Sequence, residues 1–333
     1  MSPQSVPIIG TDAANSFEDL SGLIPKTAKT SSFSENPYDV LIDACNNDPV
    51  LIQRAYETHR ITRNAQQRAK LFSPEFAGVI VDKTLQELEY LHGAREIPEL
   101  TGRPKRSPAL VDPRNCLVFW ARPTSAVQDL IGVVQEKLRQ LAPGLCSLDT
   151  ADGDIWLMPR EKQHLTVLEI THSKTPETIV DLVTQMRPSL GKFVGWPHTH
   201  RTTLVKPMLS YDAAALAISF VPAADEEGSA YTYHHLRKDF YRLAVNSGVV
   251  ISSRYTVPSA HITVARFVTM GNHAPVGEVG MEEWVEMIES VNCWLAEEWA
   301  GFRWNVGEQR GIDCRSGSLW YGGGESEAVG DGF

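Results

Sequence analysis

Two short segments carry the residues most able to do chemistry. They are His164-Leu165-Thr166-Val167 and His261-Ile262-Thr263-Val264, 97 positions apart. On a β-strand alternate side chains point the same way, so each segment projects an imidazole and a hydroxyl from one face. Leu165, Val167, Ile262 and Val264 then turn toward a core. If two such strands lie beside each other, two imidazoles and two hydroxyls share one cleft. Histidine has an unperturbed pKa near neutrality, so one ring can be neutral while the other is protonated. The neutral ring takes a proton from water and the protonated one delivers a proton to a departing oxygen. Threonine hydroxyls can donate to non-bridging phosphoryl oxygens, whose charge must be stabilised in the transition state. This is equipment for cleaving a phosphoester. With a cyclic phosphate the leaving oxygen is already in place, and the chemistry needs no metal. One H-x-T alone is weak evidence. Two, both in strand-like stretches, stand against a blander account in which each histidine is satisfied by local hydrogen bonds.

Neighbouring residues offer supporting roles. Arg122, Arg254 and Arg266 are close in sequence to these strands and are candidates for neutralising phosphate charge. Tyr255 has a ring able to stack on a base, whereas Trp156 is expected in the core. Ser259 is read as an ordinary turn residue. His198 and His200 form an H-x-H, and His234 and His235 add two more imidazoles. Metal ligation would need further partners such as Asp212 or Asp239. Loop and helix-surface histidines are the default reading, so no metal and no cofactor is expected.

The elements that must position these residues follow from periodicity. The first 36 residues are Ser-, Thr-, Pro- and Asn-rich and read as a flexible arm (1–36). A helical pattern from Pro37 to about His92, followed by the Pro- and Arg-containing stretch 101–113, gives a helical extension and linker (37–110). Beyond it, strands and amphipathic helices alternate: strands at 115–121, 154–159 and 164–170, with helices at 127–141 and 175–186. A second set repeats the order. Strands are expected near 203–209 and 214–221, a helix at 233–245, strands near 249–256 and 261–268, and a helix at 281–299. Short strands near 302–306 and 311–321 precede a disordered tail (323–333). The repeated order looks like an internal duplication, each copy carrying one H-x-T strand.

Bulk composition narrows the partner. With 42% hydrophobic and 22% charged residues the chain has an ordinary globular make-up. Its formal net charge is −10, and a protein that grips long duplex nucleic acid by its phosphates is normally basic. A small phosphorylated ligand in a local pocket is therefore favoured over a long polymer. The five cysteines are scattered, without a C-x-x-C pair, so neither a disulfide framework nor a zinc knuckle is indicated. No apolar run suits a membrane span and no leader is evident, so a cytoplasmic protein is expected, with the nucleus as a second compartment.

HLTV and HITV together resemble the paired signature of the two-histidine (2H) phosphoesterase superfamily. The segments NCLVFWARP, IWLMPREKQHLTVLEIT and SRYTVPSAHITVARF are similar to its fungal branch, the RNA ligase or cyclic nucleotide phosphodiesterase-like (LigT-like) proteins. The resemblance covers about residues 111–320, and the 2H domain is placed at 111–322. It implies an α+β, bilobal fold with two antiparallel sheets lining a central cleft and helices outside, here with an N-terminal helical extension. It implies hydrolysis of a 2′,3′-cyclic nucleotide, an RNA cyclic-phosphate end or ADP-ribose 1″,2″-cyclic phosphate. By motif only His164, Thr166, His261 and Thr263 carry over. A non-catalytic nucleotide or RNA-end binding module on the same fold is the alternative.

Overall fold

The computed structural model describes residues 18–23, 36–85, 113–142, 155–224, 230–253, 255–269 and 280–333. Most of the expected arm, the linker up to residue 112, and Arg254 lie outside the described residues. Within them the chain is α+β, with two antiparallel sheets and helices around them. No described helix is long and apolar enough to cross a membrane.

The first sheet has the order β3-β1-β8-β9, where β1 is Asn115–Ala121, β3 Leu165–Lys174, β8 Ile312–Ser318 and β9 Glu325–Val329. The second has the order β2-β6-β5-β4-β7, where β2 is Ile155–Leu157, β4 Thr203–Tyr211, β5 Ala215–Pro222, β6 Ala260–Phe267 and β7 Arg303–Asn305. Helices α1 (Asp39–Ala44), α2 (Pro49–Leu71), α3 (Ser125–Leu141), α4 (Pro176–Met186), α5 (Leu190–Gly195), α6 (Tyr233–Asn246) and α7 (Gly280–Glu298) surround them. Their starts are set by local chemistry. The side chains of Asp48, Thr124 and Thr175 accept backbone N–H groups at the first turns of α2, α3 and α4. Thr232 and His235 form a reciprocal capping box on α6.

The repeat read from the sequence is present in part, the second copy having no counterpart of β2. In one copy β1 is followed by α3 and then by β3, which pairs antiparallel with β1. In the other, β5 is followed by α6 and then by β6, which pairs antiparallel with β5. The copies also exchange strands. β2, from the first, pairs with β6, and β8, which follows the second, pairs with β1. Gln135 of α3 fastens one exchange by donating to the carbonyls of both Met158 and Val264.

Three expectations need correction. The segment 249–256 is not a strand: its described residues form a loop, held to β3 where the Ser252 N–H donates to the Ile170 carbonyl and the two hydroxyls of Thr171 and Ser252 bond. The C-terminal residues are not a disordered tail. β9 pairs with β8, and at Gly311 (φ +62°) the Cβ of any other residue would sit 2.0 Å from the Gly330 carbonyl oxygen. A glycine-rich composition suggests flexibility, yet these glycines serve close backbone approach. The N-terminal helical extension, finally, is not a unit apart from 111–322. Tyr38, Leu41, Ile42, Ile52, Ala55 and Tyr56 belong to the same continuous hydrophobic core as Leu117, Val167, Ile218 and Ile262. Helix α2 lies over β4 and β5, where Arg60 donates to the Lys206 and Ser219 carbonyls and Asn64 to the Leu209 carbonyl.

Candidate active site

Burial along the two H-x-T segments alternates as expected. Leu165, Val167, Ile262 and Val264 are almost fully buried, while His164, Thr166, His261 and Thr263 are half-buried. His164 sits just ahead of β3 and His261 within β6. The two strands run against each other across the junction of the sheets. The Arg122 and Arg266 guanidiniums bear on His164. The two imidazoles thus belong to strand segments that meet at the junction of the sheets.

Each ring is oriented by its own approach segment. Pro159 opens a single 3-10 turn, Arg160–Lys162, which leaves the Lys162 carbonyl 2.8 Å from His164 Nδ1. A carbonyl only accepts, so Nδ1 carries the proton and Nε2 presents its lone pair. Gly322 (φ +78°) packs against Lys162, where a Cβ would come within 2.5 Å of the same carbonyl oxygen. His164 also lies flat on the Trp120 indole. On the other segment, His261 Nδ1 is 2.9 Å from Ser259 Oγ. Ser259 therefore orients a candidate catalytic ring and is more than a turn residue. The signal was legible: a hydroxyl two positions before a histidine can reach its near nitrogen.

Burial depresses both histidines. Desolvation lowers His164 to about 3, with Arg122, His261 and Arg266 adding to it and the Lys162 carbonyl opposing. Desolvation lowers His261 to about 4, with Arg63 and Arg237 pushing the same way and Asp212 against. Both shifts run the same way, toward the neutral form of the ring.

The remaining candidates divide. Arg122 reaches the site's edge over the Trp120 ring, 4.9 Å from its centroid, and is engaged by Asp313 at 2.9 and 2.7 Å. Arg266 and Tyr255 line a cavity that also contains His261 and Thr263. Arg266 is 3.5 Å from Asp82, and the Tyr255 ring is tilted 6.4 Å from that of His261. Trp156 is buried in a small cluster with Leu85, Met158, Val268 and Tyr321, as expected. His198 bonds the Asp331 carbonyl and His200 stacks on Trp196. His234 is sealed between Tyr56 and the Tyr38 carbonyl, and His235 caps α6. Among the described residues no group of three or more His, Cys, Asp or Glu is placed to hold a metal ion.

Several residues went unread in the sequence. Arg237 of α6 is fully buried and donates to the carbonyls of Val167, Val257 and Tyr255, tying β3 to the segment that leads into β6. Tyr233, one helical turn earlier, donates to the Thr166 carbonyl at 3.0 Å. His59, Arg60 and Arg63 come from α2 and form one wall of the cavity beside His261. They lie some two hundred positions away in the chain, in a region that no motif marks.

No family model matches the chain, and no curated protein matches it. Among solved structures it is similar to a conserved protein of unknown function from Agrobacterium tumefaciens strain C58. The two are 11% identical, with a TM-score of 0.41 over 70% of this chain and 92% of that one. A likeness so loose carries no argument.

Proposed function

We propose that this protein hydrolyses a cyclic phosphodiester on a ribonucleotide-like substrate, without a metal, using His164 and His261 as the acid–base pair. The observation that carries the reading is the pair of half-buried imidazole–hydroxyl sets on adjoining strands, each ring fixed at Nδ1 by its own approach segment. That leaves Nε2 on each ring for proton transfer. Thr166 and Thr263 donate to the non-bridging oxygens. The resemblance of both segments to the 2H phosphoesterase signature supports the same reaction.

The depressed pKa values fit once the substrate is considered. A cyclic phosphate is an anion, and an anion between the rings favours the charged form of one of them. The substrate then supplies the condition for protonating the acid, while the second ring stays neutral as base. Which ring takes which role depends on which ribose oxygen leaves.

The test is a panel of a 2′,3′-cyclic nucleotide, an RNA with a cyclic-phosphate end and ADP-ribose 1″,2″-cyclic phosphate, incubated with the full chain in excess EDTA. A phosphomonoester product is expected from at least one, and His164→Ala and His261→Ala should each lower kcat by ~10²-fold or more. Binding with no product from any of them would leave a nucleotide-binding module in place of an enzyme.

A further inference from the structure

The cavity beside His261 has a volume of about 140 Å³. It is continuous with the candidate catalytic face. On β5, Ser219 pairs with His261, Ala217 with Thr263 and Ala215 with Arg266, and directly paired residues share a face of the sheet. The two alanines leave the room, Tyr255 borders it, and α2 closes it with His59, Arg60 and Arg63. Resting on the reaction proposed above, we infer that this cavity receives the nucleobase of the substrate and that the N-terminal helix α2 is its wall.

Three observations select a base over a second phosphate. The first is charge. Three guanidiniums line the cavity, and each already contacts a carboxylate: Arg60 with Glu57 at 2.8 Å, Arg63 with Asp212 at 3.3 Å and Arg266 with Asp82 at 3.5 Å. The surplus of cations that a phosphate would call for is absent from these pairs. The second is size. The volume is close to the ~150 Å³ of an apolar cavity that holds benzene, so one heterocyclic ring fills it. The third is the mixture of edges. Ala215, Ala217 and Val257 give an apolar floor for a ring face. Around them stand donors and acceptors: the Arg63 guanidinium, the Asp212 carboxylate, and the Ser210 and Ser219 oxygens, whose protons go to Ser219 and to the Met208 carbonyl and which can still accept. His59 adds a donor, since its Nδ1 accepts from the Leu20 N–H and its proton is therefore on Nε2. A nucleobase is the part of a nucleotide with a flat apolar face and an edge of alternating donors and acceptors.

The test compares a nucleoside 2′,3′-cyclic phosphate with 1-O-methylribose 2,3-cyclic phosphate, which has the same phosphodiester and no base. In the native protein kcat/KM should favour the base-bearing compound by about tenfold or more. In Ala215→Leu, which fills the cavity, and in Arg63→Gln, which removes one edge, the advantage should fall to about twofold, with thermal melts showing both variants folded. An advantage that survives both changes, or its absence in the native protein, overturns the inference and leaves the proposed reaction standing. So does a preference that follows an added 5′-phosphate and ignores the base. If neither compound is turned over, it is the reaction that fails. The cavity is then judged by calorimetric Kd values of a nucleoside 2′-monophosphate and ribose phosphate. A base-dependent gain lost in both variants supports it, and equal binding overturns it.

Discussion

The imidazole of His164 stacks on the indole of Trp120, with ring centroids 3.8 Å apart and planes 17° from parallel. The indole covers one face of the ring and withholds water from it, which belongs to the desolvation that lowers His164 to about 3. Trp120→Ala should hydrate that face. The His164 titration followed by NMR is expected to move up by about one pH unit or more. A titration that does not move would mean that the indole is packing alone.

Ser259 and His261 give a second, separable prediction. Removing the hydroxyl in Ser259→Ala leaves His261 Nδ1 without the partner 2.9 Å away that fixes its rotation. Under the proposed reaction the ring itself remains as acid or base, so the loss should be partial, about tenfold in kcat with KM little changed. A variant with native kcat, or one as inactive as His261→Ala, contradicts the positioning role.

The same burial makes stability depend on pH, with a definite sign. His59 and His261 are held down to about 4 and His164 to about 3, while His234 is pushed well below its ordinary value, all by desolvation. Above pH 6.5 these rings are neutral folded and unfolded alike. As the pH falls below that, the unfolded chain takes up protons that the folded one refuses until about 4 or below, so folding weakens across the window. The Tm should fall steadily between pH 6.5 and 4, and the His59→Gln variant should show a shallower fall. A flat Tm across this range contradicts the depressed titration of these rings.

Arg237 provides the fourth. Its guanidinium, fully buried, donates to carbonyls on β3 and on the segment before β6, and its Cζ sits 4.6 Å from the Tyr38 ring centroid. Arg237→Met keeps much of the volume and leaves those carbonyls unmet in a dry interior. A loss of about 3 kcal/mol or more in urea unfolding is expected. A loss under about 1 kcal/mol would mean that water or neighbouring donors replace the guanidinium.

The chain displayed its strands and helices plainly because period-2 and period-3.6 patterns are local. NCLVFWA is the strand β1 as read, and β3, β6 and α7 agree with their reading to within a few residues. The H-x-T faces were legible for the same reason. What pairs with what was not. The course of α2 across β4 and β5 depends on its Arg60 and Asn64 meeting carbonyls 145 or more positions on, and nothing local encodes that. The C-terminal strand was hidden by its glycines, whose use appears only once Gly330 is seen against Gly311. Ser259 is a local signal, two positions from the ring it bonds.

The strand exchange between the two copies has a mechanical consequence. Because β2 is hydrogen-bonded into the sheet of the second copy and β8 into that of the first, a swing of one half away from the other would have to tear ladders on both sides. The spacing of the strands that carry the two H-x-T segments is in that sense preset by the backbone, and under the proposed reaction adaptation to different substrates falls to the side chains and loops around them.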